Sequence, residues 1–189
     1  MLGADGVPGE PTFADLAGLE PAELDDTIAT FQQAFAWWRD ERIVSIAAVQ
    51  GHAVGAGFQL ALACDLRVLA EDARFSMREP SLGLVPDLGG TKALVDLVGY
   101  PRALEICATG RWVDAAEAAR IGLAELVVPP ADVDAACRDL CAAVLAAPAD
   151  AVRETKALLR DAQGRTYGEQ RAAERAAQGR RLRALAGIG

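Results

Sequence analysis

The residues best suited to chemistry lie on one turn-rich segment, "FSMREPSLGLVPDLGGT", residues 75–91, which carries the carboxylates Glu79 and Asp87. Proline fixes the backbone φ angle and glycine permits the positive φ angles of tight turns, so this segment is expected to form a stiff, defined loop that can hold catalytic groups. Two carboxylates placed in this way can take up and deliver protons. Both also have structural interpretations. Glu79 could be a surface charge or pair with Arg74 or Arg78, and Asp87 could cap the helix that follows it.

A second chemical feature is the glycine-rich stretch "GHAVGAGFQLALACD", residues 51–65. Between a strand and a helix, such a loop presents free backbone N–H groups that can bind negative charge. Gly55, Ala56 and Gly57 do not complete a dinucleotide-binding fingerprint, because Leu60 stands where glycine or alanine is needed, and no P-loop lysine follows. The remaining functional interpretation is an oxyanion site. The alternative is close packing of a helix on a strand through small residues.

Composition excludes several other classes of function. A single histidine in 189 residues argues against a histidine-based metal site and against a Ser-His-Asp relay. A net charge of −8 argues against general affinity for nucleic acid. No apolar run is long enough for a membrane span, and the first residues do not resemble a secretory signal. The four cysteines match no paired metal spacing, and Cys137 and Cys141 are interpreted as buried apolar residues. We therefore expect a cytoplasmic protein.

Hydrophobic periodicity predicts an α/β chain whose elements position these residues. Residues 1–20 are expected to be loop-like, and an amphipathic helix should begin at Pro21 with its aromatic residues in the core. A buried strand is predicted at 43–49, and the carboxylates should lie on a loop at 78–87 before a helix that opens with "GGT". The other predicted elements are a helix at 57–63, the strand "LRVLA", helices at 101–109, 114–121, 131–146, 149–162 and 166–186, and the late strand "AELVV".

The stretches "IAAVQGHAVGAGFQLALACDLRVLAEDARFSMREPSLGLVPDLGGT" and "ALEICATGRWVDAAEAARIGLAELVV" closely resemble the enoyl-CoA hydratase/isomerase, or crotonase, family. The resemblance is strong over residues 43–128. It implies a ClpP/crotonase-like spiral of ββα units followed by a helical region that forms a homotrimer, often a dimer of trimers. It also implies a coenzyme A thioester as substrate and no metal or redox cofactor. The expected organisation is a loop-like segment at 1–20, a partial core at 21–128 and C-terminal helices at 129–189.

The resemblance also assigns roles to residues of the two motifs. Ala56 would offer its backbone N–H to the thioester oxygen, with Gly55 and Gly57 beside it in the binding segment. Family hydratases carry two glutamates that flank the reacting carbons, whereas this chain has Gln59 at the first position and Glu79 at the second. Two carboxylates of different protonation can divide water activation and proton delivery, but a glutamine can only hold or orient.

This departure resembles the family's double-bond isomerases, in which one carboxylate shuttles a proton between C2 and C4 of an enoyl-CoA. Asp87 falls where some dienoyl-CoA and ring-acting isomerases of the family carry a catalytic aspartate. Enoyl-CoA isomerisation by Glu79 and Asp87, with Gln59 positioning the substrate, is therefore the expected activity. The alternatives are hydration of a 2-enoyl-CoA, with Asp87 as the second carboxylate, and a non-catalytic truncated paralogue.

The truncation is expected because family members begin with several strands and a loop that supplies a second oxyanion N–H. The residues before the amphipathic helix look too few and too loop-like to form those strands. An exposed sheet edge at that place would favour association.

Overall fold

The computed structural model describes residues 12–188, apart from the side chain of Phe13. Within these residues the chain forms two compact units. One comprises residues 12–40 and 44–134, and the other comprises residues 41–43 and 135–188. The division after residue 134 falls somewhat later than the 128/129 boundary expected from the sequence.

The first described element is a short helix, α1 (Phe13–Ala17), within the segment that was expected to be loop-like. Thr12 begins it with a capping box: the Asp15 N–H donates to Thr12 Oγ1 at 3.2 Å, and the Thr12 N–H donates to Asp15 Oδ2 at 2.8 Å. The loop prediction is therefore wrong for residues 13–17, because local capping starts a helix too short to show periodicity. The rest of that prediction, residues 1–11, lies outside the described residues.

Helix α2 (Pro21–Ala36) begins where the sequence predicts, with proline in its first turn. The prediction that its aromatic residues are core is wrong, because none of the residues of α2 is buried. Phe31 and Phe35 are half-buried, and Trp37, just after the helix, is 53% exposed and packs on Trp38 with ring centroids 4.4 Å apart. Amphipathic spacing specifies an apolar face, but it does not specify what covers that face.

The first sheet consists of three strands, all of them parallel. Strand β1 (Ile46–Val49) begins later than the strand predicted at 43–49. β3 (Leu66–Ala70) and β6 (Leu126–Val128) lie where the sequence predicts strands. β3 is the central strand of the three, and four of its five residues are buried.

The second sheet contains strands that periodicity does not predict. β2 (His52–Val54) pairs in parallel with β4 (Arg74–Ser76), and β4 pairs antiparallel with β5 (Val113–Asp114). Strands of two or three residues are too short for an alternating pattern. Gly51, at φ +63°, lies between β1 and β2, so the loop expected there is partly a strand.

The strand register describes a repeating spiral. Ile46 of β1 pairs with Leu66 of β3, and His52 of β2 pairs with Arg74 of β4. Helix α3 (Ala56–Ala63) follows the consecutive strands β1 and β2 along the chain and connects them to the consecutive strands β3 and β4. The consecutive strands β3 and β4 therefore stack in parallel on the consecutive strands β1 and β2, which is one turn of the ββα repeat expected from the resemblance, whereas β5 pairs antiparallel with β4.

The core lies between α3 and the strands. Phe58 of α3 stacks on Phe75 of β4 with ring centroids 4.6 Å apart, and both are fully buried. Arg67 of β3 is only 2% exposed. Its guanidinium donates to the carbonyl oxygens of Cys64 at 2.9 Å and Leu123 at 2.7 Å, so it satisfies the end of α3 while its charge is buried. The remaining guanidinium nitrogen forms an ion pair with Glu125 at 3.0 Å.

The later helices agree closely with the predicted ones. They are α4 (Gly90–Val98), α5 (Tyr100–Thr109), α6 (Ala115–Arg120), α7 (Val133–Leu145), α8 (Ala149–Asp161) and α9 (Tyr167–Leu185). Within the second unit, Arg180 of α9 binds Glu154 of α8 through two hydrogen bonds of 2.8 and 2.6 Å. On α7, Cys137 is half-buried and Cys141 is exposed, so the expectation that both are buried is wrong. None of the described helices combines the length and the apolar character that crossing a membrane requires.

Candidate active site

The glycine-rich segment of α3 packs directly against Glu79. Gly55 adopts φ +51°, which favours glycine, and its N–H donates to the Ser76 carbonyl oxygen at 2.9 Å. Its own carbonyl oxygen accepts the Gln59 N–H at 2.9 Å and begins the helix. A Cβ atom at residue 55 would lie 3.2 Å from Glu79 Oε1. Gly55 therefore supplies both the left-handed turn and the space for the carboxylate.

Ala56 and Gly57 form the first turn of α3, and both are exposed. Backbone N–H groups in a first helical turn have no acceptor within the helix. The positive end of the helix dipole lies at the same place. An exposed turn of this kind can stabilise negative charge on a small oxygen that approaches it.

Gln59 is 1% exposed, and both ends of its side-chain amide are hydrogen-bonded. Nε2 donates to Glu79 Oε1 at 2.7 Å. Oε1 accepts the N–H groups of Leu88 at 2.9 Å and Gly90 at 3.3 Å. Gln59 therefore contacts Glu79 and the beginning of α4, and its expected role in positioning a substrate remains a prediction.

Glu79 begins a short 3-10 helix, Glu79–Leu82, in the loop that follows β4. Its Oε2 atom is buried and has no hydrogen-bond partner among residues 12–188. The proposed salt bridge to Arg78 does not form, because that guanidinium donates to the Gly110 carbonyl oxygen at 3.2 Å and lies 5.6 Å from the Trp112 ring centroid. Glu79 thus has one occupied and one unoccupied carboxylate oxygen.

Asp87 is half-buried and lies between Glu79 and α4 along the chain. It does not cap the helix: the N-cap of α4 is Gly89, at φ +84°, and no side chain caps this end. The backbone carbonyl oxygen of Asp87 accepts the side-chain amide of Gln32 at 2.6 Å. The structural interpretation of Asp87 as a helix cap is therefore wrong. Its catalytic interpretation remains a prediction.

Two features of the surroundings could not be identified from the motifs. The thiol of Cys107 on α5 has a raised pKa, first because it is partly buried and second because of the negative charge of Glu79. Gly90 is buried against the Gln59 side chain. The two consecutive glycines before Thr91 were the only sequence signal for the packing of Gly90 on Gln59.

No group of three or more histidine, cysteine, aspartate or glutamate residues in the described part of the chain could hold a metal ion.

Comparison with known proteins shows the family of this chain. The family model described as Enoyl-CoA hydratase/isomerase matches residues 11–183. The chain belongs to the enoyl-CoA hydratase/isomerase family. The resemblance inferred from residues 43–128 is thereby confirmed.

Solved structures of the family share the fold over nearly the whole chain. A Thermobifida fusca protein assigned as an enoyl-CoA hydratase, solved in complex with CoA, is 52% identical with a TM-score of 0.90, covering 99% of this chain and 70% of its own. The same assignment is given to a Thermobifida fusca structure in complex with acetoacetyl-CoA, 55% identical with a TM-score of 0.89, covering 95% of this chain and 69% of its own. The mixed α/β fold with a helical C-terminal part is therefore that of the crotonase-like structures.

Among curated relatives, Bacillus subtilis YngF, assigned as an enoyl-CoA hydratase/isomerase, is 45% identical over 111 residues. That match covers 59% of this chain and 43% of YngF. A Mycobacterium tuberculosis protein assigned as the enoyl-CoA hydratase echA8 is 37% identical over 140 residues, covering 72% of this chain and 54% of its own. The chain spans about half the length of the curated relatives it matches.

Proposed function

We propose that this chain binds an acyl-CoA thioester and isomerises an enoyl-CoA double bond through an enolate, with Glu79 as the proton carrier. The observation that carries the proposal is the difference in hydrogen bonding between the side chains of Gln59 and Glu79. Gln59 uses both ends of its amide in hydrogen bonds, whereas Glu79 keeps one buried oxygen without a partner among the described residues. Only one of the two therefore has a free site for a proton.

The chemistry needs no second carboxylate. Glu79 takes a proton from C2 of a 3-enoyl-CoA, the C–H electron pair forms a double bond between C1 and C2, and the carbonyl π pair moves to the oxygen, which gives a dienolate conjugated with the double bond between C3 and C4. The negative charge on the thioester oxygen is stabilised by the Ala56 N–H at the start of α3. The protonated Glu79 then returns the proton to C4, which yields the conjugated 2-enoyl-CoA. Gly55 and Gly57 keep the backbone beside this oxygen free of side chains.

Two further observations support a CoA thioester as substrate. The Thermobifida fusca relatives were solved with CoA and acetoacetyl-CoA bound, and they share more than half of their residues with this chain in the matched regions. The exposed first turn of α3 is the kind of backbone site that a carbonyl oxygen can approach. The homotrimer or dimer of trimers expected from the resemblance is part of the proposal, and light scattering on the purified chain measures it.

Hydration of a 2-enoyl-CoA is the second candidate, and the half-buried Asp87 favours it. Because Asp87 does not cap α4, its carboxylate is available as the second group that water addition requires. In this reaction one carboxylate would remove a proton from water while the other delivers a proton to C2. The product is a 3-hydroxyacyl-CoA, which distinguishes the two reactions directly.

The test is turnover of 3-enoyl-CoA by the full chain and by Glu79→Gln, followed through the ultraviolet absorbance of the conjugated thioester. We expect the variant to lose about 10²–10⁴-fold in kcat, the range typical of a general acid–base. Glu71→Gln, which changes an exposed carboxylate after β3, is the matched control. Undiminished turnover in Glu79→Gln contradicts the proposal. Hydration without isomerisation supports the second candidate, and no turnover of either substrate supports a non-catalytic paralogue.

A further inference from the structure

The side chain of Gln59 connects the carboxylate of Glu79 to the beginning of α4. Its Nε2 donates to Glu79 Oε1, and its Oε1 accepts two backbone N–H groups, at Leu88 and Gly90. The reversed amide would direct its NH₂ group at two N–H donors and its oxygen at a carboxylate oxygen. The hydrogen-bond pattern therefore permits one orientation of the amide.

This connection distinguishes the two oxygens of Glu79. Oε1 already accepts a hydrogen bond of 2.7 Å, whereas Oε2 is buried without a partner among residues 12–188. A buried oxygen without a hydrogen-bond partner costs free energy of folding, so its retention calls for an explanation such as a catalytic role. Because Oε1 already accepts a hydrogen bond from Gln59, Oε2 is the oxygen left to exchange a proton.

Gly90 is the residue that makes this arrangement possible. A Cβ atom at residue 90 would lie 2.7 Å from Gln59 Cγ, 3.0 Å from its Oε1 and 3.1 Å from its Cβ. The φ angle of Gly90 lies outside the left-handed region, in contrast to Gly89 at φ +84°. Alanine would favour a helix at this position by about 1 kcal/mol. Space for Gln59, and not backbone conformation, therefore accounts for the glycine.

We propose that Gln59 is a positioning residue that holds Glu79 so that Oε2 carries the transferred proton, and that Gly90 is required because it leaves room for Gln59. The inference rests on the proposed function for the identity of the reaction. The contact itself does not depend on which enoyl-CoA reaction the chain performs. In this proposal Gln59 acts on the reaction by holding Glu79, and Gly90 acts by leaving room for Gln59.

The first test is a double-mutant cycle of Gln59→Ala and Gly90→Ala. Each single variant should lower kcat for 3-enoyl-CoA by about 10²-fold, the effect of a misplacement of about 1 Å. KM should stay within about twofold, because this inference assigns neither residue 59 nor residue 90 to substrate binding. The double variant should be no slower than Gln59→Ala, since most of the steric conflict is gone.

A control and a stability measurement complete the cycle. Gly168→Ala also adds a methyl group in the first turn of a helix, where nothing lies within 4 Å, and it should leave both constants unchanged. If Gly90→Ala alone does not fold, the inference requires that Gly90→Ala folds in the Gln59→Ala background. Additive losses in kcat, or equal destabilisation in both backgrounds, overturn the inference.

The second test needs no turnover. In ¹H–¹⁵N spectra of the full chain, the side-chain NH₂ of Gln59 should give a downfield, slowly exchanging proton because it donates to a buried carboxylate. Glu79→Ala and Gly90→Ala should each remove this signature, and Gly168→Ala should retain it. An inactive wild-type chain that shows this pattern contradicts the proposed function and supports the positioning contact. A signature that survives Gly90→Ala overturns the inference whether or not the chain is active.

Discussion

The amide of Gln59 donates a hydrogen bond of 2.7 Å to the carboxylate of Glu79, although the two residues stand twenty positions apart in the chain. The parallel register of the second sheet brings them together. Val54 at the end of β2 pairs with Ser76 at the end of β4, so the segments that leave these strands lie side by side. Gln59 follows the first strand and Glu79 follows the second. One turn of the spiral therefore separates the two residues that define the site.

Replacing Gln59 by glutamate tests what the amide contributes. A carboxylate at this position would lie about 2.7 Å from Glu79 Oε1, the present distance of Nε2, and the two groups could coexist there only by sharing a proton. We expect Gln59→Glu to lower isomerisation of 3-enoyl-CoA by about 10²-fold, the scale of one acid–base group, and to introduce hydration of 2-enoyl-CoA. Product analysis by chromatography measures both.

The matched control is Gln33→Glu, which makes the same change at an exposed position of α2. It should leave the ratio of the two products unchanged. Unaltered isomerisation and no hydration in Gln59→Glu would mean that the amide does not restrict the chemistry of Glu79.

The role of Asp87 is tested by Asp87→Asn. Because the half-buried Asp87 does not cap α4, we expect the free energy of unfolding to change by no more than about 0.5 kcal/mol, the scale of substitutions that remove no cap or buried network. If Glu79 alone shuttles the proton, isomerase kcat should fall by less than about tenfold, well short of a general acid–base loss. Urea denaturation and steady-state kinetics check the two expectations, with the exposed Asp72→Asn as control. A loss as large as that of Glu79→Gln would show that the reaction needs both carboxylates.

Arg111 gives a prediction about stability and pH. Its guanidinium binds Glu105 at 2.6 and 2.9 Å and Glu117 at 2.7 Å through two nitrogens. These hydrogen bonds lower the pKa of both carboxyl groups below their ordinary value of 4.5. A lowered carboxyl pKa stabilises the folded state at pH values above 4.5, and the stabilisation is lost as the pH falls through the folded-state pKa.

We therefore expect Arg111→Met to reduce the free energy of unfolding near pH 7 by about 1 kcal/mol, the scale of partly exposed ion pairs. The difference from wild type should shrink as the pH is lowered below about 4 in urea titrations, because both glutamates become protonated. Arg175→Met, at an exposed position of α9, should show no such trend. A difference that is constant or grows at low pH would contradict the assignment of the stabilisation to these ion pairs.

The longer helices and the residue types of the candidate site could be predicted from the sequence. Gly55 and Glu79 stand out because a glycine turn before a helix and a carboxylate on a turn-rich loop each have recognisable local chemistry, whereas Gln59 is singled out by the resemblance to the family. Helices of ten or more residues carry enough turns for periodicity to be measured. These features depend on residues close together in the chain.

Other features depend on packing, which local patterns do not encode. Strands β2 and β4 consist of three residues each and exist because they pair with each other. The requirement for Gly90 arises only once α4 packs against Gln59. Asp87 stands just before a helix, but Gly89 intervenes as the cap, which the spacing alone could not indicate. Helix α2 is a further example: the spacing of its apolar residues predicts an apolar face, but it does not reveal whether other residues cover that face.

The central claim is that one carboxylate, Glu79, removes a proton from C2 and returns it to C4. The most direct measurement supplies the full chain with 3-enoyl-CoA deuterated at C2 and determines by mass spectrometry and NMR where deuterium lies in the product. Because Glu79 Oε2 is buried, part of the deuterium should reach C4 of the 2-enoyl-CoA before it exchanges with water, and Glu79→Gln should abolish the transfer and lower kcat by about 10²–10⁴-fold. Undiminished turnover in Glu79→Gln, or a product without deuterium at C4, would contradict the account.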